Sequence, residues 1–398
     1  MAPRPGLASA RMAYFSPQRL WTHVEVLSSL IGPRGTGGEA EARAASWVCD
    51  QLRAVGLSPE EGRFKAVADM NWFPISAALL SLSGTLSYPW AAWLAFLLAG
   101  AAGPLLWVAI TRADSPLWFV LPRVRSQNVI ARRTPRGRVE RRVVLLSHLD
   151  TNRCRLAWRA GKTRTVRLGS LATLMIYGLN GLLYLLGAAS GWHWPYWASL
   201  PGGAYALATL LILLAELRRP YSPGANDNGS AVAVNLELAA RLIEEPLQRT
   251  EVWSVFTGAE EVDHRGLKLL LKEHEVLREA WFIDLEGVGA GELCYLLEAG
   301  LIRPYRPEPH LRALAERVAA RRADLGVKGA EMLVVDEVQT LRRLGYRAIT
   351  IAGRDRRTGA LPHWHTCEDV VENVLGEALV RAAEFVWEML EELDREEG

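Results

Sequence analysis

The chain has 398 residues, half of them hydrophobic, and its 46 Lys and Arg nearly balance its 44 Asp and Glu, for a net charge of +2. That hydrophobic fraction is high for a soluble protein, and the excess lies in two blocks of sequence. The length allows either two or three average domains or one large α/β domain with insertions. No nucleic-acid-binding motif accompanies the basic residues, so we expect no nucleic-acid partner.

Two long stretches, residues 75–110 and 168–214, contain no Asp, Glu, Lys or Arg. One helix through the first stretch would be about 54 Å long, far more than the hydrocarbon core of about 30 Å, so two helices joined near Pro89 fit better. The second stretch is interrupted by "GWHWPYW", whose aromatic side chains suit a membrane interface. We therefore predict two inserted transmembrane hairpins, which contact the lipid bilayer through four helices. The alternative is a soluble protein with these helices in its core.

An even number of spans returns the chain to the same side of the membrane after each hairpin. Residues 1–74, 111–167 and 215–398 would then share one compartment and form one discontinuous domain. Their membrane-proximal parts are rich in Arg, whereas the two hairpin turns contain neither Lys nor Arg. By the positive-inside rule this polar mass is cytoplasmic, which predicts a multi-pass protein of the cell (inner) membrane. The sequence leaves the oligomeric state open.

The cysteine pattern bears on the same compartment. The four cysteines show no CxxC spacing: Cys49, Cys154, Cys294 and Cys367. In a reducing cytoplasm the simplest expectation is four free thiols.

Outside the two apolar stretches, strand-like and helix-like segments alternate. Short apolar runs predict strands in "SQNVIARRT", "RRVVLLSHLD", "TEVWSVFTGAEE", "AWFIDLEGVG" and "RAITIAG". Apolar residues at helical spacing predict helices in "GGEAEARAASWVCDQLRAVGL", "SAVAVNLELAARLIEE" and "ALVRAAEFVWEMLEEL". This alternation predicts an α/β fold with a mostly parallel mixed sheet between helices. Functional residues are then expected at the carboxyl ends of the strands.

Acids and a histidine stand at or after these strand ends. His148 and Asp150 end one predicted strand on the same face, where the histidine could bind a metal while the carboxylate orients its ring. Asp227 lies in the turn "SPGANDNG" before a helix, where it could cap the helix or bridge two cations. When each residue is considered alone, ordinary surface polarity explains His148 and Asp150, and helix capping explains Asp227, as well as a metal site does.

Two pairs of acids follow other strands. Glu260 and Glu261 are adjacent in "TGAEE", where one could bind a metal and the other could act as general base toward the attacking water. The alternative is a solvated acidic turn. Asp284 and Glu286 lie two apart in the apolar run "WFIDLEGVG", where a carboxylate is costly without a counter-charge such as a metal.

The closing segment "LPHWHTCEDVVENV" adds four more candidates: His363, His365, Glu368 and Asp369. In chain order the motifs resemble those of the co-catalytic (di-zinc) aminopeptidase family, which includes leucyl-type aminopeptidases, glutamate carboxypeptidases and endoplasmic-reticulum metallopeptidases. "HTCEDVVENV" is similar to the closing His-Thr-x-x-Asp motif of that family. The resemblance covers most polar residues of 20–72 and 124–390 and leaves out the apolar stretches.

The resemblance implies five metal ligands for two Zn²⁺ ions, with Mn²⁺ or Co²⁺ also tolerated by such ligands. Each ion would have one histidine and one glutamate, and an aspartate would bridge the two: His148 with Glu286, Glu261 with His365, and Asp227.

The resemblance also implies roles beside the metals. Glu260 would be the general base toward a metal-bridging water, and Asp150 would orient His148. The family usually has Asn-Leu-Asp or Gln-Leu-Asp where this chain has Asp284-Leu285-Glu286. Aligned on the following "VG", the fifth ligand is Glu286, with Asp284 as the alternative.

Together these expectations predict a membrane-anchored zinc metallopeptidase that acts on peptides, with aminopeptidase as the leading activity. A carboxypeptidase remains open, because the sequence gives no side-chain preference. A glutaminyl-cyclase-like acyltransferase would use the same scaffold with one metal, and a catalytically inactive peptide- or protein-binding scaffold would have lost its ligands. The filled ligand positions favour the peptidase.

Overall fold

The computed structural model describes residues 14–155 and 163–396. Residues 156–162, which belong to the Arg-rich segment before the second apolar stretch, lie outside the described residues, as do residues 1–13 and 397–398. Eight strands form one sheet: β1 (Glu60–Val67), β2 (Arg123–Arg133), β3 (Arg141–His148), β4 (Thr250–Thr257), β5 (Trp281–Glu286), β6 (Glu292–Glu298), β7 (Lys328–Glu331) and β8 (Arg347–Arg354). Their order is β1-β2-β4-β3-β5-β8-β6-β7.

The sheet has a parallel centre and mixed edges. Strands β4, β3, β5 and β8 run parallel to one another. On one side β2 is antiparallel to β4 and β1 is antiparallel to β2. On the other side β6 is antiparallel to β8, and β7 is parallel to β6. The predicted α/β fold is thereby confirmed, and all five predicted strands are present.

Helices cover both faces of the sheet. One face packs against α1 (Pro17–Glu25), α2 (Glu39–Ala54), α7 (Ala231–Glu244), α9 (Pro309–Arg321) and α11 (Gly376–Arg395). The other packs against α8 (Arg265–Glu273) and α10 (Glu337–Arg343). Val143 and Leu145 of β3 face the first layer, whereas Val144 and Leu146 face the second. Because both faces of this strand are buried, its sequence is a continuous apolar run.

The two apolar stretches form helical hairpins that pack together outside the sheet. Their helices are α3 (Trp72–Ser87), α4 (Ala92–Ile110), α5 (Thr163–Ser190) and α6 (Trp194–Glu216). The breaks fall near Pro89 and inside "GWHWPYW", as the sequence predicts. Of these, α4, α5 from Arg164 and α6 are long and apolar enough to cross a membrane, and α3 is shorter at 16 residues.

Large apolar side chains stand exposed on the outer faces of these helices. Leu97 of α4 is 64% exposed, Met175 of α5 is 72% exposed and Ile212 of α6 is 62% exposed. Helices in the core of a soluble protein would bury such side chains, because each buried apolar side chain of this size contributes about 1.5–3 kcal/mol. The alternative of buried core helices therefore does not describe this bundle.

The prediction of four free thiols is wrong for two of the cysteines. Cys154 and Cys367 form a disulfide, whereas Cys49 and Cys294 are free and buried. The disulfide joins the loop after β3 to the loop before α11, across 213 positions of sequence. No local spacing could signal this pair, because only the fold brings the two loops together.

Candidate active site

The register of the parallel strands brings the predicted site residues to one edge of the sheet. His148 at the end of β3 pairs with Thr257 at the end of β4. Leu146 pairs with Asp284, so Glu286, two residues on, stands level with His148. Asp284 lies two residue pairs deeper in the sheet. The register therefore distinguishes Glu286, at the level of His148, from Asp284, whereas the sequence alone left the two acids as alternatives.

The turn that carries the two glutamates leaves β4 through a crowded position. A Cβ on Gly258 would lie 2.3 Å from the carbonyl oxygen of Gln127, so only glycine fits there. The Asp150 carboxylate then accepts hydrogen bonds from the backbone N–H of Glu260 at 3.0 Å and of Glu261 at 3.3 Å. Asp150 thus fixes the position of both glutamates.

Asp150 holds His148 through its backbone rather than its side chain. The Nδ1 of His148 lies 2.9 Å from the carbonyl oxygen of Asp150 and 3.7 Å from its carboxylate. Donation from Nδ1 to that carbonyl oxygen leaves Nε2 without a proton and turned to the site, as a metal ligand requires. The hydroxyl of Thr36 donates to the Asp150 carboxylate at 2.7 Å.

The turn that carries Asp227 is held by groups from both ends of the chain. Asp369 of the closing motif accepts hydrogen bonds from the backbone N–H of Asn226 at 2.7 Å and of Asp227 at 3.0 Å. The buried guanidinium of Arg34 donates to the carbonyl oxygens of Gly224 at 2.7 Å and of Leu149 at 2.8 Å. Arg34 therefore ties the Asp227 turn to the strand end beside His148. The peptide bond between Asp227 and Asn228 is cis.

Two groups of side chains meet at the Asp227 carboxylate. Asp227 Oδ1 lies 3.2 Å from His148 Nε2, which in turn lies 3.5 Å from Glu286 Oε1. Asp227 Oδ2 lies 3.5 Å from His365 Nε2, which lies 3.2 Å from Glu261 Oε2. All five side chains are buried. Each oxygen of one carboxylate thus faces a different histidine and glutamate.

Glu260 stands beside the first of these groups. Its Oε2 lies 3.9 Å from His148 Nε2, and its Oε1 lies 3.2 Å from the Nε2 of His264, a residue that the sequence reasoning did not single out. Burial is the largest influence on the Glu260 carboxyl and, with Glu261 and Glu286 nearby, raises its pKa well above the usual range. A carboxyl in this setting is suited to accept a proton.

The buried acids fit a site for cations. Asp227 Oδ1 and Glu261 Oε1 are buried and accept no hydrogen bond from the described residues. Burial, above all, raises the pKa of Glu286 to about 8. Ligand atoms of His148, Asp227 and Glu261 lie within 4.8 Å of one another. Burial of carboxylates costs free energy unless a counter-charge is present, and a bound cation would supply one. Imidazole and carboxylate groups in this arrangement are ligands that suit zinc.

Three sequence candidates, Asp284, His363 and Glu368, neither belong to the group around Asp227 nor support it, and Glu368 is exposed. Asp284 is buried, and burial followed by Asp336, Glu337 and Glu286 raises its pKa well above the usual range. Within the described part of the chain, neither Asp284 nor the ring of His363 forms an ion pair with a residue of that group.

Two asparagines that the sequence reasoning missed donate hydrogen bonds to two of the predicted ligands. Asn152 Nδ2 donates to Glu261 Oε2 at 2.6 Å, and Asn228 Nδ2 donates to Glu286 Oε2 at 3.2 Å. Their positions carried a signal, because Asn228 directly follows Asp227 and Asn152 lies two residues after Asp150.

Comparison with known families supports the resemblance seen in the motifs. The sequence profile described as "Peptidase family M28" matches residues 201–390. This match confirms the resemblance and supports a zinc-dependent hydrolase. No curated protein sequence matches this chain significantly.

Solved structures share the fold of this chain at low sequence identity. A zinc aminopeptidase from Bacillus subtilis is 16% identical with a TM-score of 0.58, over 97% of each chain. A leucine aminopeptidase precursor from Bacteroides thetaiotaomicron is 13% identical with a TM-score of 0.58, over 96% of this chain and 98% of the other. A glutaminyl cyclase from the same organism is 14% identical with a TM-score of 0.57, over 96% and 99%. These likenesses establish the fold.

Proposed function

We propose that this protein is a membrane-anchored di-zinc metallopeptidase that acts as an aminopeptidase. The observation that carries the proposal is the position of Asp227, whose two carboxylate oxygens face two separate pairs of ligand side chains. His148 and Glu286 would hold one ion, and His365 and Glu261 would hold the other. Asp227 would bridge them.

The residues around this centre have distinct tasks in peptide hydrolysis. When bound, two zinc ions would polarise the scissile carbonyl and acidify the attacking water. Glu260 would take the proton of that water on its carboxylate and pass it to the leaving amine. Asp150 keeps Glu260 and Glu261 in place through their backbone N–H groups, while Asn152 and Asn228 hold the ligand glutamates.

A glutaminyl-cyclase-like acyl transfer is the alternative, since cyclases share the fold. That chemistry would use one metal on this scaffold. The two ligand pairs on either side of Asp227 favour two ions and therefore hydrolysis. The number of zinc ions per chain separates the two functions.

We propose that the two hairpins anchor the protein in a membrane. Segments before, between and after the hairpins supply β1, then β2 and β3, then the remaining strands of one sheet. They must lie on one side of any membrane, so each hairpin crosses it an even number of times. The short α3 would therefore cross with α4, and its 16 residues span about 24 Å. This arrangement supports a single discontinuous peptidase domain.

Charge and disulfide point to opposite compartments for this domain. The segments beside the helices are rich in Arg and the hairpin turns are uncharged, and this difference favours a cytoplasmic location for the domain. The Cys154–Cys367 disulfide favours an oxidising compartment. We propose the cytoplasmic side of the cell (inner) membrane, because the charge bias extends over three separate segments whereas the disulfide is a single bond.

The function is tested by hydrolysis assays on the purified full chain in detergent. A panel of aminoacyl amides, amino-blocked peptides and amino-terminal glutamine peptides distinguishes aminopeptidase, carboxypeptidase and cyclase. We expect release of amino-terminal residues from unblocked substrates, loss of activity with a chelator and recovery with zinc. Zinc-independent turnover, or cyclisation of glutamine peptides without hydrolysis, would overturn the proposal.

A further inference from the structure

A cavity of about 680 Å³ joins the site to the apolar hairpins. At one end its walls are the acids and histidine around Asp227. At the other end its walls belong to α4, α5 and α6, with residues that include Leu106, Ile110, Gly169, Thr173, Tyr205 and Ile212. We call this second end the apolar arm. The same space therefore touches both the catalytic acids and helices proposed to lie in the membrane.

The apolar arm is long enough for several residues of an extended peptide. On α5 its lining runs from Thr165 to Thr173, and on α6 from Tyr205 to Leu213. Eight steps along a helix cover about 12 Å. About four residues of an extended chain have that length.

Hydroxyl groups distinguish the arm from a channel for a bare alkyl chain. Five of its lining residues carry a hydroxyl: Thr165, Ser170, Thr173, Tyr205 and Thr209. The hydroxyls of Thr173 and Tyr205 are hydrogen-bonded to each other at 2.7 Å, and Thr173 is also 2.8 Å from the carbonyl oxygen of Gly169. A hydroxyl oxygen can still accept a further hydrogen bond, which the N–H groups of a peptide can donate and an alkyl chain cannot.

Hydrogen-bonded polar residues line the cavity between the arm and the catalytic acids. Glu216 at the end of α6 lies 3.3 Å from the guanidinium of Arg155, which donates to Asn152 at 2.8 Å. Asn152 donates in turn to Glu261. The polar part of a substrate thus meets the site, while an apolar part fits the arm beyond it.

On the basis of the proposed aminopeptidase function, we propose that the preferred substrates are peptides with about four apolar residues directly after the amino-terminal one. The amino-terminal residue and the scissile bond would lie at the zinc site. The apolar residues on the leaving side would lie in the arm. Peptides that partition into the bilayer have this chemistry and would reach the arm from the hairpins.

Gly169 offers a way to fill the arm without disturbing the fold. A Cβ at Gly169 meets no heavy atom of the described residues within 4 Å, and the same holds for Gly178 on the same helix, which does not line the cavity. Gly169→Phe therefore blocks the arm, and Gly178→Phe is the matched control. Both variants add the same side chain at an exposed position of α5.

The experiment compares two peptides that share the amino-terminal leucine and differ in the next four residues, leucine in one and glutamine in the other. Wild type should favour the leucine peptide in kcat/KM at least about tenfold. Gly169→Phe should abolish this preference, and Gly178→Phe should keep it. Equal preference in both variants would overturn the use of the arm. A leucyl alkylamide that outcompetes both peptides would overturn the peptide assignment in favour of a lipid chain.

Binding supplies a second readout that does not depend on turnover. A fluorescent amino-terminally blocked tetraleucine peptide should bind wild type and Gly178→Phe in detergent, with binding lost in Gly169→Phe. Equal binding to all three proteins would contradict the proposal. Absence of any hydrolysis by zinc-loaded wild type, even of leucine amide, would refute the peptidase function, and the binding result would still decide whether the arm holds an apolar peptide.

Discussion

The Nε2 of His264 lies 3.2 Å from the Oε1 of Glu260, on the side of that carboxylate away from His148. His264 is fully buried, and its Nδ1 lies 2.9 Å from the hydroxyl of Thr340. Burial, followed by the charges of Arg112 and Lys268, lowers the pKa of His264 well below its usual range. A neutral imidazole therefore lies beside one oxygen of Glu260, in contact but without the geometry of a hydrogen bond, while the other oxygen faces His148.

Replacing His264 tests this contact. We expect His264→Leu to lower kcat about tenfold with little change in KM, because loss of a polar contact to a charged group costs about 1–3 kcal/mol. His264→Gln can keep a polar contact and should lose less. Zinc content should stay at the wild-type value in both. If activity and zinc fall together, His264 supports the metal site as a whole rather than Glu260.

The choice between Asp284 and Glu286 is tested by counting zinc. Glu286→Gln should reduce bound zinc from about two ions per chain to about one, because Glu286 lies level with His148 at the strand edge. Asp284→Asn changes an acid two residue pairs deeper and should retain both ions. Elemental analysis of the purified variants gives the numbers. The opposite pattern would make Asp284 the ligand.

Thiol counting tests the disulfide. Denatured, unreduced protein should expose two reactive thiols, Cys49 and Cys294, and reduction should raise the number to four. Four reactive thiols before reduction would show that Cys154 and Cys367 are not joined in the isolated protein.

A reporter fused after the last residue tests the side of the membrane. The distribution of Arg predicts that a reporter which functions only in the cytoplasm is active. Activity of a reporter that functions only outside the cytoplasm would contradict the proposed side and would agree with the disulfide.

Acid should weaken the contact of α1 with α7. Glu237 of α7 is buried and pairs with His23 and Arg19 of α1; burial alone would raise its pKa, but these two partners lower it. A carboxyl with a lowered pKa in the folded state stabilises above its unfolded pKa, and this contribution is lost as the pH falls through the folded value. Glu237→Gln should therefore destabilise the protein by about 1–2 kcal/mol at pH 7 and by less near pH 3. An equal difference in melting temperature at both pH values would contradict this.

The sequence predicted the strands that matter for the site because their apolar runs are continuous. Strands β1, β6 and β7 were not predicted. Strand β1 is largely exposed and β7 has only four residues, so neither forms a long apolar run. The order of the motifs indicated the site, but only the strand register places Glu286 rather than Asp284 beside His148. Contacts between distant segments, such as those of His264, Arg34 and the disulfide, have no local pattern and needed the fold.

The central claim is that Glu260 acts as the base of a site whose metals are held by other residues. The most direct measurement is peptide hydrolysis and zinc content of Glu260→Gln beside wild type. We expect loss of activity by at least about a hundredfold with two zinc ions retained, because the amide cannot accept the proton. Wild-type activity in this variant would contradict the account.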